Sequence, residues 1–232
     1  HGFLNVADGA NLDDTQEFRP GLKASKELNV RSPLKEAGFA KEFEFKLTDA
    51  IINGSGAGQP LGILNSGCMV SVSKEAGQAA STIVYENVLK MRMRMIAASR
   101  PNSIWIINQD CETQLDSMSL AVGTGGVPVY LPAGGASAQP YSTLFGRPVV
   151  PIEQCETLGT TGDIMLCDFS QYQAIDKGGM KSDVSIHVQF LTDQRVFRFT
   201  YRFDGEPVLG SAITPFKGTN TLSHFVKLDT RA

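Results

Sequence analysis

Apolar residues recur at intervals of three or four along one stretch of the chain and at intervals of two along another. These two periods lay out most of the expected architecture. Leu34, Ala37, Ala40, Phe43, Leu47 and Ala50 trace a single stripe on a helix of about five turns. Ser32 is placed to cap that helix and Pro33 occupies the favoured first position. Glu42 and Lys46, four apart, pair on its outer side. Asn53-Gly54 ends it, glycine being suited to a left-handed C-terminal position. Gly38 inside the helix costs about 1 kcal/mol relative to Ala. A second helix is expected near Thr82, with Val84, Val88, Met91 and Met95 on its buried side. The run Ser103 to Ile107 reads as a short strand. Asn108 then caps a third helix with Asp110 and Glu112 in its first turn and Cys111, Leu115 and Met118 inward. Residues Ala121 to Ser142, rich in Gly, Ala and Pro, read as loop. Short strands follow at Arg147 to Pro151, Ile164 to Cys167 and near Tyr172 to Ile175.

Period two is clearest later on. Val184, Ile186, Val188 and Phe190 alternate with Ser185, His187 and Gln189. After Thr192-Asp193-Gln194, residues Phe197, Phe199, Tyr201 and Phe203 alternate with Arg198, Thr200 and Arg202. Two alternating runs around a short polar turn predict a long β-hairpin with one apolar face. After Asp204-Gly205 an irregular tail is expected. Before the first helix, His1 to Val30 carries the turn signals Asp8-Gly9 and Pro20-Gly21 and little periodicity, as in an extended arm.

The hydrophobic fraction of 42% is enough for substantial cores, in one large domain or two closely joined ones. The formal net charge of −3 argues against a dedicated DNA binder, whose affinity rests on neutralising phosphates. Cys68, Cys111, Cys155 and Cys167 form no Cys-x-x-Cys pair, so they read as reduced, mostly buried thiols.

Candidate chemistry thins out on inspection. The stretch from Gly54 to Gly62 invites a phosphate-binding reading, but Gln59-Pro60 stands where a Lys-Ser or Lys-Thr pair would be needed, and a helix rather than a strand precedes it. His187 falls on the polar face of its strand. Met91 and Met95 fit a helix core better than a ligand site. Arg195, Arg198 and Arg202 fit a solvated strand face or contacts with acidic neighbours. The chain has no Gly-x-Ser-x-Gly elbow and no His-Glu-x-x-His. No catalytic, cofactor-binding or metal-binding residues are expected, and no enzyme activity.

The segment Asp49-Ala50-Ile51-Ile52-Asn53-Gly54-Ser55-Gly56-Ala57-Gly58-Gln59-Pro60-Leu61-Gly62-Ile63-Leu64 resembles a stretch that closes the long spine helix in major capsid proteins of tailed bacteriophages and prophages, of the Hong Kong 97 (HK97) type. Ser55 stands where that family usually has an acid. Three further pieces resemble the family in order. They are Ser103 to Asn108; Thr143-Leu144-Phe145-Gly146-Arg147-Pro148-Val149-Val150; and Gly162-Asp163-Ile164-Met165-Leu166-Cys167-Asp168-Phe169-Ser170-Gln171-Tyr172, with Cys167 in place of the usual Gly. Phe199 to Ala212 resembles the family's final strand.

The resemblance implies an α+β shell subunit: an HK97-like fold with a long spine helix, a long β-hairpin and a mixed α/β axial domain. Residues 1–31 would be an arm or loop remnant, 32–82 and 177–232 a peripheral domain, and 83–176 the axial domain. Gly54, Gly56, Gln59, Pro60, Gly62, Gly146, Pro148 and Asp168 would be structural motif residues. A loop carrying Gly123, Gly125, Gly126, Gly134 and Gly135 would lie near the capsomer axis. The implied partners are further copies in pentamers and hexamers, a scaffold, a portal, a maturation protease and enclosed double-stranded DNA held without sequence-specific contacts, with no membrane and no cofactor. The implied location is the virion, and host cytoplasm before assembly. Some family members cross-link neighbours through a Lys, an Asn and an assisting Glu. Asp193 and Thr200 fall near the Asn and Glu positions here, so a shell without cross-links is expected. Two other readings remain: the shell of an encapsulin-like nanocompartment, and a small α+β enzyme.

Overall fold

The computed structural model describes residues 33–122, 125–128, 143–179, 181–189, 191 and 194–231. By compactness the chain divides into His1–Thr48 and Asp49–Ala232. The first unit holds most of helix α1 (Pro33–Asn53), whose bounds match the apolar stripe. On it Lys46 Nζ meets Glu42 Oε1 at 2.7 Å, with both side chains in water. Such a pair contributes only about 0.2–0.5 kcal/mol. The cap at Ser32 and the arm from His1 to Arg31 lie outside the described residues.

The second unit is built on a six-stranded mixed sheet. Its strands are β1 (Val70–Val72), β2 (Ile104–Ile107), β5 (Thr143–Leu144), β6 (Arg147–Pro151), β7 (Ile164–Cys167) and β12 (Phe225–Leu228), in spatial order β1-β12-β7-β2-β6-β5. Helices α2 (Tyr85–Arg94) and α3 (Glu112–Asp116) stand between them in the chain. β1 runs parallel to β12 and β2 parallel to β6, while the other contacts are antiparallel. One core contains Trp105, Ile107, Ile164, Leu166, Val226 and Leu228 together with Val88, Met91 and Met95 of the α2 segment. A second contains Ile106, Met165, Cys167 and Phe225 together with Ile52, Ile63 and Cys155. Alternate residues of the central strands thus feed two cores. This explains why β2 and β7 are apolar at every position and show no period of two: a strand covered on both faces has no wet side to make polar.

Several expectations are corrected. The segment after Asp204-Gly205 is not an irregular tail. Asp204 and Gly205 belong to β11 (Phe203–Pro207), and β12 lies between β1 and β7 with Phe225, Val226 and Leu228 fully buried. The sheet therefore takes strands from both sides of segment 83–176. The stretch from Ala121 is not loop at its start. β3 (Ser119–Val122) pairs antiparallel with β4 (Gly125–Pro128), because a ladder needs only backbone groups, and glycine carries those as well as any residue. α2 begins at Tyr85 rather than near Thr82, where Asn87 Oδ1 accepts the Val84 N–H at 3.1 Å. The third helix is a single 3-10 turn (Gln109–Cys111) followed by the short α3, and Asn108 caps the turn by accepting the Asp110 N–H at 3.0 Å.

The hairpin is β9 (Lys181–Gln189) against β10 (Gln194–Thr200). Phe197 faces Val184, Phe199 faces Ser182, and Arg198 bonds across to Asp183 at 2.8 Å. A register shift between Gln194 and Val196 marks a bulge near the turn. The second alternating run is broken in two. β10 stops at Thr200, and Phe203 opens β11, which pairs with β8 (Tyr172–Asp176). The chain turns between β8 and β9 through Gly178 and Gly179, both with left-handed backbone, so the returning strand must change partner at that level.

Candidate functional site

The family-like glycine segment folds into a staple under the end of α1. Gly54 does not take the left-handed conformation expected of it. Its N–H donates to Ala50 O at 3.0 Å, and a Cβ there would lie 2.2 Å from Pro60 O and 2.3 Å from Ala50 O. Glycine is required for close approach, not for its angle. Gly62 is held alike: its N–H donates to Gly54 O at 2.9 Å, and a Cβ would lie 2.4 Å from Gly54 N. Gly56 N–H donates to Pro60 O at 3.1 Å, Leu61 N–H to Gly205 O at 2.9 Å, and Gln59 Nε2 to Ser55 Oγ at 2.8 Å. Asn65 Nδ2 ties Asn53 O and Gly54 O from below, at 2.8 and 3.1 Å. The Gly54, Gly56, Leu61 and Gly62 amides are thus spent on the protein's own carbonyls. Only Gly56 and Gly58 use positive φ, at 75° and 70°.

Gly146 and Pro148 belong to the β5–β6 hairpin. Phe145 and Gly146 both have positive φ, 51° and 72°, as a two-residue type I′ turn demands. Asp168 is buried and accepts the Ser170 N–H at 3.1 Å and the Ser170 hydroxyl at 2.6 Å, capping the 3-10 turn Phe169–Gln171. Gly125 and Gly126 lie in β4, while Gly123, Gly134 and Gly135 are outside the described residues. His187 is exposed, as its strand face suggested.

Sequence reasoning missed a buried ion pair. Arg231 and Asp163 are both fully buried, and Arg231 Nη2 donates to Asp163 Oδ2. Arg231 Nε also donates to Thr82 O at 2.6 Å and Nη1 to Asp229 O at 3.1 Å, while Gly159 N–H reaches Asp163 Oδ2 at 2.9 Å. Asp163 Oδ1 has no partner. Asp163 stood inside a quoted motif, but no local pattern couples it to an arginine 68 positions away.

All four cysteines are reduced and buried. Burial, reinforced by the nearby Asp163 carboxylate, pushes the Cys111 thiol up to about 12. Burial likewise raises Cys155 and Cys167. His224 is pushed below its usual value by burial, and its Nδ1 lies 2.6 Å from Ser99 Oγ. Among the described residues no group of His, Cys, Asp or Glu is arranged to hold a metal ion, and no helix is long and apolar enough to cross a membrane.

Glycines at close approaches, polar caps and a buried ion pair are parts that fix a shape. The class the elements define is a domain of mixed α and β content. The family match gives this class its name: the phage capsid family model covers residues 27–218, and the chain belongs to that family. Its role is therefore structural and not enzymatic.

Two solved structures of similar fold are capsids of GTA particles computed with C5 symmetry. The capsid of the empty particle has a TM-score of 0.65 at 17% identity, over 89% of this chain and 70% of that one. The capsid of the native particle has a TM-score of 0.64 at 16% identity, over 86% and 65%. An uncharacterized protein of Synechocystis sp. (strain ATCC 27184 / PCC 6803 / Kazusa) is 48% identical over 40 residues, which is 17% of this chain and 15% of that protein.

Proposed function

We propose that this chain is the major shell subunit of a tailed-phage or prophage capsid of the HK97 type, and that its copies assemble into pentamers and hexamers enclosing double-stranded DNA. The observation that carries this reading is the family match across residues 27–218. The fold shared with the capsids of GTA particles computed with C5 symmetry supports it. In this reading α1 is the spine helix and β9–β10 the long hairpin of a peripheral domain, and the six-stranded sheet organises the axial domain. A net charge of −3 suits a wall that encloses DNA without gripping its sequence. Scaffold, portal and maturation protease are the further partners, and the assembled protein belongs to the virion after assembly in the host cytoplasm.

The test is to express the protein alone and with its neighbouring structural genes, then examine the product by sedimentation and negative-stain microscopy. Closed shells or capsomer rings are expected. A protein that stays monomeric at all concentrations, in both settings, overturns the proposal.

A further inference from the structure

At one end of the six-stranded sheet lies a cavity of about 260 Å³, with Trp105 and Leu166 among its lining residues and Phe145 beside them. Its polar lining includes Arg92, Arg100 and Arg147. The Arg92 guanidinium sits 4.9 Å over the Phe145 ring, and Arg147 Nη1 donates to Pro101 O. Arg100 Nε is buried without any hydrogen-bond partner. Among the described residues none of the three arginines forms an ion pair. Three guanidinium groups gathered around one cavity, one of them with a buried donor unused, form a receptor for an anion. A carboxylate matches the guanidinium fork.

The chain also carries acids suited to that receptor, at a place they cannot reach it from. Asp110, Glu112 and Asp116 are exposed on the turn and helix that follow β2, and they too form no ion pair among the described residues. Arg100 precedes β2 and Arg147 opens its parallel neighbour β6, so the arginines flank the beginning of β2 and the acids its end. A four-residue strand spans about 13 Å, which separates the two patches within one subunit. Two complementary patches at opposite ends of one strand are what a head-to-tail contact requires, and such contacts close into rings when the rotation between copies permits.

We infer that the arginine cavity receives the acidic turn Asp110–Asp116 of a second copy of this chain. The inference rests on the proposed self-assembly and supplies one of its contacts. A nucleic-acid phosphate would satisfy the same arginines, but the net charge of −3 and the presence of matching acids favour the second copy.

The experiment reverses charges in the full chain. Arg100→Glu removes no hydrogen bond from the fold, and Glu112→Arg with Asp116→Arg alters only exposed positions. Like charges set face to face should cut the yield of shells or rings about tenfold or more in each variant, with the subunit's thermal melting unchanged. Combining all three substitutions should restore most of the yield. Normal assembly of Arg100→Glu, or of the acid reversals, overturns the contact, and so does failure of the combination to rescue. Should Arg100→Glu not fold, the acid reversals decide alone, and normal shells from them overturn it. Intact shells of Arg100→Glu that lose nucleic acid would assign the cavity to phosphate instead. A wild-type protein that never assembles sinks the proposed function and this contact with it, whereas unchanged variants beside an assembling wild type sink the contact only.

Discussion

The Asp163–Arg231 pair shows what single residues contribute here. Removing one member of a buried pair leaves an uncompensated charge and typically costs about 3–5 kcal/mol. Arg231→Met is therefore expected to lower unfolding free energy by roughly that amount, measured by urea titration. Asp163→Asn in the same chain should recover part of the loss, because the amide oxygen still accepts the Gly159 N–H without carrying a charge. Equal loss in the single and double variants would mean the pair is not the source. The thiols give a second residue-scale expectation. Only the thiolate reacts, and burial holds Cys111, Cys155 and Cys167 in the protonated form. At neutral pH a thiol reagent should label Cys111, Cys155 and Cys167 slowly in the native protein and completely in denaturant. Rapid native labelling of any of them would contradict the packing described.

Among the elements, those with a local signature were legible and those defined by distant partners were not. α1 carried a stripe, a first-turn proline and a glycine stop, and its observed bounds are those of the pattern. β6 and β7 also fall where their apolar runs placed them. β12 was missed because Phe225-Val226-Lys227-Leu228 is short, has no period of two and draws its stability from β1 and β7. The β9–β10 hairpin was visible through alternation, but the change of partner after Thr200 was not, since Tyr201 and Phe203 continue the same period. In the glycine segment the residues were recognisable while their reasons were not: Gly54 and Gly62 avoid collisions that only the folded backbone creates. The two kinds of glycine predict different costs. Gly62→Ala forces a Cβ against Gly54 N and should destabilise by about 1–3 kcal/mol or more. Gly58→Ala meets nothing within 4 Å and carries only the left-handed penalty, about 1–2 kcal/mol at most. Thermal melting of the two variants ranks them, and a larger loss for Gly58→Ala would reverse the reading of the staple.

For the whole molecule, the class of protein was legible before any coordinates because four separate segments resembled one family in order, and the match over residues 27–218 agrees. The arginine cavity was not legible, since Arg92, Arg100 and Arg147 come from three elements with nothing in their spacing to link them. The absence of covalent cross-links remains an expectation at this scale. Thr200 ends β10 opposite Lys181 and offers no carboxylate to manage a proton, while Asp193 lies outside the described residues. Particles boiled in detergent should run as a single monomer band on a denaturing gel, and a ladder of pentamers and larger species would refute the expectation.

The place of β12 between the edge strand β1 and β7 has a consequence for the timing of synthesis. Before residues 225–228 are made, β1 and β7 lack the strand that joins them, and the Asp163 carboxylate waits for Arg231. Pairing between segments so far apart in sequence is slow, because the closure entropy of long loops comes before any reward. A nascent chain thus holds β1 apart from the rest of its sheet until translation has passed residue 228. A product that stops before residue 225 would leave β1 without its neighbour and β7 with one open edge, so the sheet closes only when its latest strand arrives.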